Sequence, residues 1–232
     1  MSDILIRYRD PVQTGVSVIG KLPPVLVAPS SSVQLIEFGS ANTSPRFIGN
    51  SDATKIFCIT LGWIRSTAVT ATIDGNAMTV VAAPIITSGT TTIGTAIAYL
   101  AFPGGPSGTI TITLSSAAGI ANAAFWIVTN CSSIQDTLTA TSSSIATISS
   151  SLDLIKEGGA LGVAVAETSS NPITWTTLVE LNDRAAAATL FRFGDAFLSG
   201  TNITATSTAT VSADTGVVDY KSMTAISFSV PG

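Results

Sequence analysis

The chain has 232 residues, 46% of them hydrophobic and only 10% charged, with a net charge of −4 and no histidine. The missing histidine excludes Ser-His-Asp and Cys-His catalysis and histidine-based metal sites, and two cysteines, Cys58 and Cys131, cannot build a zinc site by themselves. Ten scattered Lys and Arg residues offer no basic cluster to displace counterions from phosphate, so nucleic acid is not an expected partner.

The charged fraction is well under the roughly 25% of ordinary soluble domains, and Ser and Thr supply about a quarter of the chain. Threonine suits the solvent face of a strand because its branched side chain fits the pleated surface. The expected surface is therefore hydroxyl-rich, as in extracellular or virion proteins. No run approaches the roughly 18 apolar residues of a membrane span, so no membrane partner is expected. "MSDILIRYRD" carries charges where a signal peptide needs its apolar stretch. An outside-type composition made in the cytoplasm without an export signal is the expectation for a virus-particle component released by lysis.

In chain order, residues 1 to about 32 form the first unit. Pro11, Pro23, Pro24 and Pro29 break it into short β-prone pieces. Proline fixes φ and removes a backbone donor, so these pieces cannot be central strands. The unit reads as an extended arm whose apolar residues Ile4, Ile6, Tyr8, Val25, Leu26 and Val27 lie along another subunit. A leader strand packed on its own domain is the alternative.

From Val33 the text is strand, turn, strand. "VQLIEF" (33–38) is followed by "KIFCITLGWI" (55–64), apolar on both faces and hence central. "VTATID" (69–74) and "AMTVVA" (77–82) flank Asp74-Gly75-Asn76, a tight hairpin turn, since glycine and Asp or Asn tolerate positive φ. "TAIAYLAF" (95–102) precedes "GTITITLS" (108–115), where Ile110, Ile112 and Leu114 share one face and three threonines the other. "AAFWIVT" (123–129) and "DTLTA" (136–140) lead to a serine-rich spacer, and "SLDLIKEGG" (151–159) reads as one short turn or a loop. "ALGVAVAE" (160–167), "TTLVEL" (176–181), "AATLFRFG" (187–194), "ITATSTATVS" (203–212) and "MTAISFSV" (223–230) complete the series. About a dozen strands with turns between them predict an all-β, two-sheet antiparallel sandwich over residues 33–232. The expected core includes Ile59, Leu61, Ile110, Ile112, Leu114, Trp126, Val163 and Val165.

Chemistry-bearing patterns are few. No spacing among the acids, Glu167 and Glu180 included, selects a carboxylate pair. A glycan-cleaving enzyme, which needs two acids about 5 to 10 Å apart, is thus only a third reading. The calcium-loop pattern is missing, and "GGPSG" (104–108) lacks the lysine and helix of a phosphate cradle. The cysteines read as buried thiols, with a disulfide left open. No catalytic residue, metal or cofactor is expected. Two aromatic residues remain as candidate ligand contacts: Trp175, among threonines after a proline turn, and Trp63, near a strand end.

The order "VTATIDGNAMTVV", "AIAYLAFP", "PSGTITITLS", "ANAAFWIVTNCSSIQD" and "GGALGVAVAET" resembles a β-sandwich module of tailed-phage virion proteins and large secreted bacterial proteins. The resemblance runs from Val69 to Glu167 and more loosely over most of residues 33–230, leaving the arm unmatched. It implies a jelly-roll-like sandwich used as a decoration, fibre or adhesion unit, and it carries over no catalytic residue. The resulting expectation is a non-enzymatic structural protein of a phage particle, located in the virion, with other virion proteins as partners. A homo-oligomer is expected, three-fold by analogy with phage fibres. The alternative is a module that binds carbohydrate or a host receptor, with a host glycan as ligand.

Overall fold

The computed structural model describes residues 30–40, 44–47, 54–66, 68–83, 86–88, 91–101, 107–115, 120–167, 171–185 and 191–231. The arm residues Ile4, Ile6, Tyr8, Val25, Leu26 and Val27 lie outside the described residues.

The chain begins with β1 (Ser32–Ser40), β2 (Ser44–Phe47), β3 (Ile56–Ile64), β4 (Val69–Ile73) and β5 (Asn76–Ala77). Next come β6 (Thr79–Ala82), β7 (Ile86–Ser88), β8 (Thr91–Ala101), β9 (Ser107–Leu114) and β10 (Ile120–Thr129). Two long strands, β11 (Ser133–Leu154) and β16 (Ser207–Ser229), bracket β12 (Gly159–Ala166), β13 (Thr174–Thr176), β14 (Val179–Ala185) and β15 (Arg192–Leu198). Among the described residues the only helical element is a 3-10 turn, Gly200–Asn202. The all-β, antiparallel class is as the period-two patterning predicts.

Sheet A runs β1-β10-β3-β8-β6 with β7 beside β8, and sheet C runs β11-β16-β12-β15-β14 with β13 beside β16. Together they make the sandwich. Cys58, Ile97, Trp126 and Val128 of sheet A meet Leu161, Val163, Ile226 and Phe228 of sheet C in one buried cluster. A third sheet, B (β2-β9-β4-β5), covers the other face of sheet A. There Phe57, Ile59, Leu61 and Trp63 pack against Ala71, Ile73, Ile110 and Ile112. Sheet A is thus an inner layer, and every residue of β3 is buried.

The opening hairpin has the predicted turn. Asp74 and Gly75 take φ of 49° and 78°, and the Asp74 carboxylate accepts the Thr109 N–H at 2.7 Å. On β9, Ile110 and Ile112 are buried, but Leu114 is only partly covered where the strand ends, a correction to the expected core. Seven of the eight expected core residues are buried.

The main departure lies in the serine-rich region. "DTLTA", the spacer and "SLDL" form one 22-residue strand, β11, and the last two predicted strands are one 23-residue strand, β16. Of residues 151–159, the first four continue β11, and the expected turn falls at 155–158, where the Gly158 N–H donates to the Ile155 carbonyl at 2.8 Å. A straight strand of that length would span about 70 Å, but register shifts at Ser142/Ile145 and Ile145/Thr147 bend the paired ribbon back on itself. The Asp153 N–H reaches the Asp136 carboxylate at 2.8 Å, and Ser227 Oγ donates to the Asp153 carbonyl at 2.6 Å. The returning half brings Ile148, Leu152, Leu154, Val211 and Ala213 down on Ala160, Ala164, Ala166, Ala196 and Ala225 of sheet C. This flap buries the second face of β12, all eight of whose residues are covered.

Candidate functional site

Trp63, a candidate contact on sequence grounds, is 1% exposed, and its Nε1 donates to the Ser66 carbonyl at 3.0 Å. Its position near a strand end suggested solvent, but sheet B closes over that face. Trp63 is therefore core and not a ligand contact.

Trp175 sits differently. It lies on β13, opposite Ala213 of the flap, with exposed Thr174 and Thr176 on either side. Its indole points beneath the flap onto Gly162 and Gly194. A Cβ added at Gly162 would come within 3.0 Å of the ring, and one at Gly194 within 3.2 Å of Nε1. Only glycine leaves room for the indole there, and Trp175 remains partly exposed at the flap margin.

Three charged residues of β14 and β15 gather at that margin. Asp183 lies directly opposite Gly194 in the β14–β15 pairing, so it shares the face on which Trp175 rests. Arg192 Nη1 donates to Asp183 Oδ2 at 3.1 Å, with side chains 19% and 10% exposed respectively. Burial raises the Asp183 pKa, against the opposing pull of Arg192 and the Ile173 N–H. Burial and the Asp183 charge raise that of Glu180. Asp183 Oδ1, Arg192 Nε and Trp175 Nε1 are all buried without a hydrogen-bond partner among the described residues. Sequence reasoning found Trp175 but missed Asp183 and Arg192. A bulge between Glu180 and Asn182 sets the facing of Asp183, no local pattern announces it, and Arg192 meets Asp183 only through the β14–β15 pairing.

Other buried polar groups are engaged within the fold, while Ser31 Oγ and Asn182 Nδ2 also lack a hydrogen-bond partner among the described residues. Asp195 is 2% exposed between sheets A and C; it accepts from Thr60 Oγ1 at 2.7 Å and from Arg184 Nη2 at 2.8 Å. Trp126 Nε1 donates to Thr60 Oγ1 at 2.9 Å. Thr95 Oγ1 lies 2.9 Å from both Ser222 Oγ and Thr224 Oγ1 across the same interface. Lys221, 2% exposed, donates to the carbonyls of Ile145 and Val217, each at 2.9 Å, and to the Asp219 carboxylate. Cys58 and Cys131 are buried thiols not joined in a disulfide, and burial, with Cys131 nearby, pushes the Cys58 thiol well up. A cleft of about 260 Å³ beside Ser30, Gly200 and Ile203 holds one carboxylate, Glu157, which is already 3.4 Å from Lys156 Nζ. Among the described residues, no group of three or more Cys, Asp or Glu could hold a metal ion.

No protein-family model matches the chain, and no curated protein or solved structure matches it either.

Proposed function

We propose that the chain is a non-enzymatic structural protein of a tailed-phage particle, a decoration, cement or fibre subunit whose sandwich faces outward. The observation that carries this reading is the solvent face of the flap. Thr147, Ser149, Ser151 and Asp153 of β11 stand beside Thr208 and Thr210 of β16, all exposed, on a stack of sheets. Hydroxyl-covered β-layers buried on both inner faces make a durable wall. The arm docks on the particle or on neighbouring copies through Ile4, Ile6, Tyr8, Val25, Leu26 and Val27. Copies of the chain associate, with closed cyclic symmetry, three-fold, as the simplest arrangement. Detecting the chain by mass spectrometry in gradient-purified particles, in constant ratio to the major shell protein, tests the reading. Its presence only in the soluble fraction of the lysate counts against it.

A second reading, a carbohydrate- or receptor-binding module, is favoured by one observation. Trp175 is partly exposed, and its indole N–H lacks a partner among the described residues.

A further inference from the structure

We propose that Trp175, Asp183 and Arg192 bind one sugar ring of a carbohydrate at the flap margin, where β13 meets β14 and β15. The inference rests on the second reading above and gives it a place and a chemistry; it does not require membership of a particle.

Three unpartnered polar atoms carry the argument. Trp175 Nε1 and Arg192 Nε are donors, and Asp183 Oδ1 is an acceptor. A buried polar group left without a partner costs about 1 to 3 kcal/mol, more when charged. Native folds rarely leave such groups together, so their grouping here points to a missing partner. Their placement is mutual. Trp175 Nε1 lies against the bare backbone of Gly194, and Asp183 stands directly across the β14–β15 ladder from that glycine. Opposed Cβ positions on neighbouring strands are about 5 Å apart. One oxygen seated between the two side chains can accept from the indole and donate to the carboxylate.

A hydroxyl has that dual character, whereas a carboxylate or phosphate ligand cannot donate to Asp183. A second hydroxyl of the same ring meets Arg192 Nε. The guanidinium is held in place through Nη1 by the ion pair with Asp183 Oδ2. The exposed part of the indole offers apolar surface to the sugar C–H groups. Asp183 is nine-tenths buried as a side chain, so the ligand enters at the margin and not through a deep pocket.

The three indole N–H groups make the test selective. Trp63 Nε1 already donates to Ser66 and Trp126 Nε1 to Thr60, and both rings are buried. Only the Trp175 signal should respond to ligand. The full chain is titrated with methyl α-glucoside, methyl β-galactoside and N-acetylglucosamine, each to about 100 mM, enough to saturate a millimolar site. Indole N–H resonances are followed by NMR, and Trp175→Phe assigns the signal. Saturable movement of that signal alone is expected, with Asp183→Asn weakening the sugar by about tenfold or more. A Trp175 signal that no sugar moves, as a trapped water would give, overturns both the site and the carbohydrate reading. Sugar binding that survives Trp175→Phe and Asp183→Asn unchanged overturns the site and leaves the carbohydrate reading standing.

Discussion

Single residues in this fold serve mainly to hold layers together. Asp74 both turns the chain and ties the hairpin to β9 through the Thr109 N–H. Asparagine accepts the same turn geometry and keeps an acceptor oxygen. Asp74→Asn should shift the denaturation midpoint little and leave any sugar binding intact, which a urea melt and the NMR titration check together. Asp195 is the more consequential acid. Burial raises its pKa, with Arg184 and Thr60 pulling the other way. A raised folded-state value means that the protonated form is the one that folding favours. Its stabilising contribution is complete below the unfolded value, about 3.9, and is lost as pH rises through the folded value. Wild-type stability should therefore carry a falling component as pH rises above about 4. Asp195→Asn, which cannot ionise, should flatten that slope in melts taken across the series. An unchanged slope would show that another group carries it.

Among the elements, β9 and the β11–β16 ribbon show what the sequence revealed and what it hid. The alternation of Ile110 and Ile112 with threonines marks the buried face of β9 in the sequence itself. Ile112→Ala should cost about 2 to 5 kcal/mol in denaturant melts, from lost transfer energy and the cavity left behind. β3 was legible for the same reason, since apolar residues on both faces require cover on both sides. The ribbon was not legible. Its polar residues face solvent along most of β11, so period-two hydrophobicity is weak, and serine runs resemble linkers. What makes it a strand is a partner some 50 to 100 positions away, together with the bend that folds it over sheet C. Lys221 holds that bend by joining carbonyls from both strands of the ribbon. Removing one member of a buried ion pair typically costs about 3 to 5 kcal/mol, because the other charge is stranded. Lys221→Ala should show a loss of that size, with faster hydrogen exchange in 147–154 and 207–214 than in β3. Uniform exchange across the molecule would mean that the flap is not a separate unit of stability. The candidate site was half legible for a related reason: Trp175 stands out in sequence, whereas Asp183 acquires its facing from the bulge in β14 and Arg192 is placed beside it by the pairing of β14 with β15.

At the level of the whole molecule, three sheets and a folded-back ribbon stack into a body whose described interior is closed by its own strands. Ser31, counted with the arm in the sequence, is bonded into that body, through its N–H to the Glu157 carbonyl and its carbonyl to the Gly200 N–H. Body and arm then divide the proposed work: the body supplies the wall and its hydroxyl-covered face, and the arm supplies attachment. Deleting residues 1–29 should leave the body folded, which a urea melt of the truncated chain checks. The central claim is attachment to a particle through the arm. It is tested most directly by measuring how much of the full chain, and how much of the chain lacking residues 1–29, co-sediments with purified particles when each is supplied in place of the native protein. The account predicts full occupancy for the complete chain and near-complete loss for the truncated one, with both bodies folded. Equal occupancy of the two, or absence of both from particles, would contradict it.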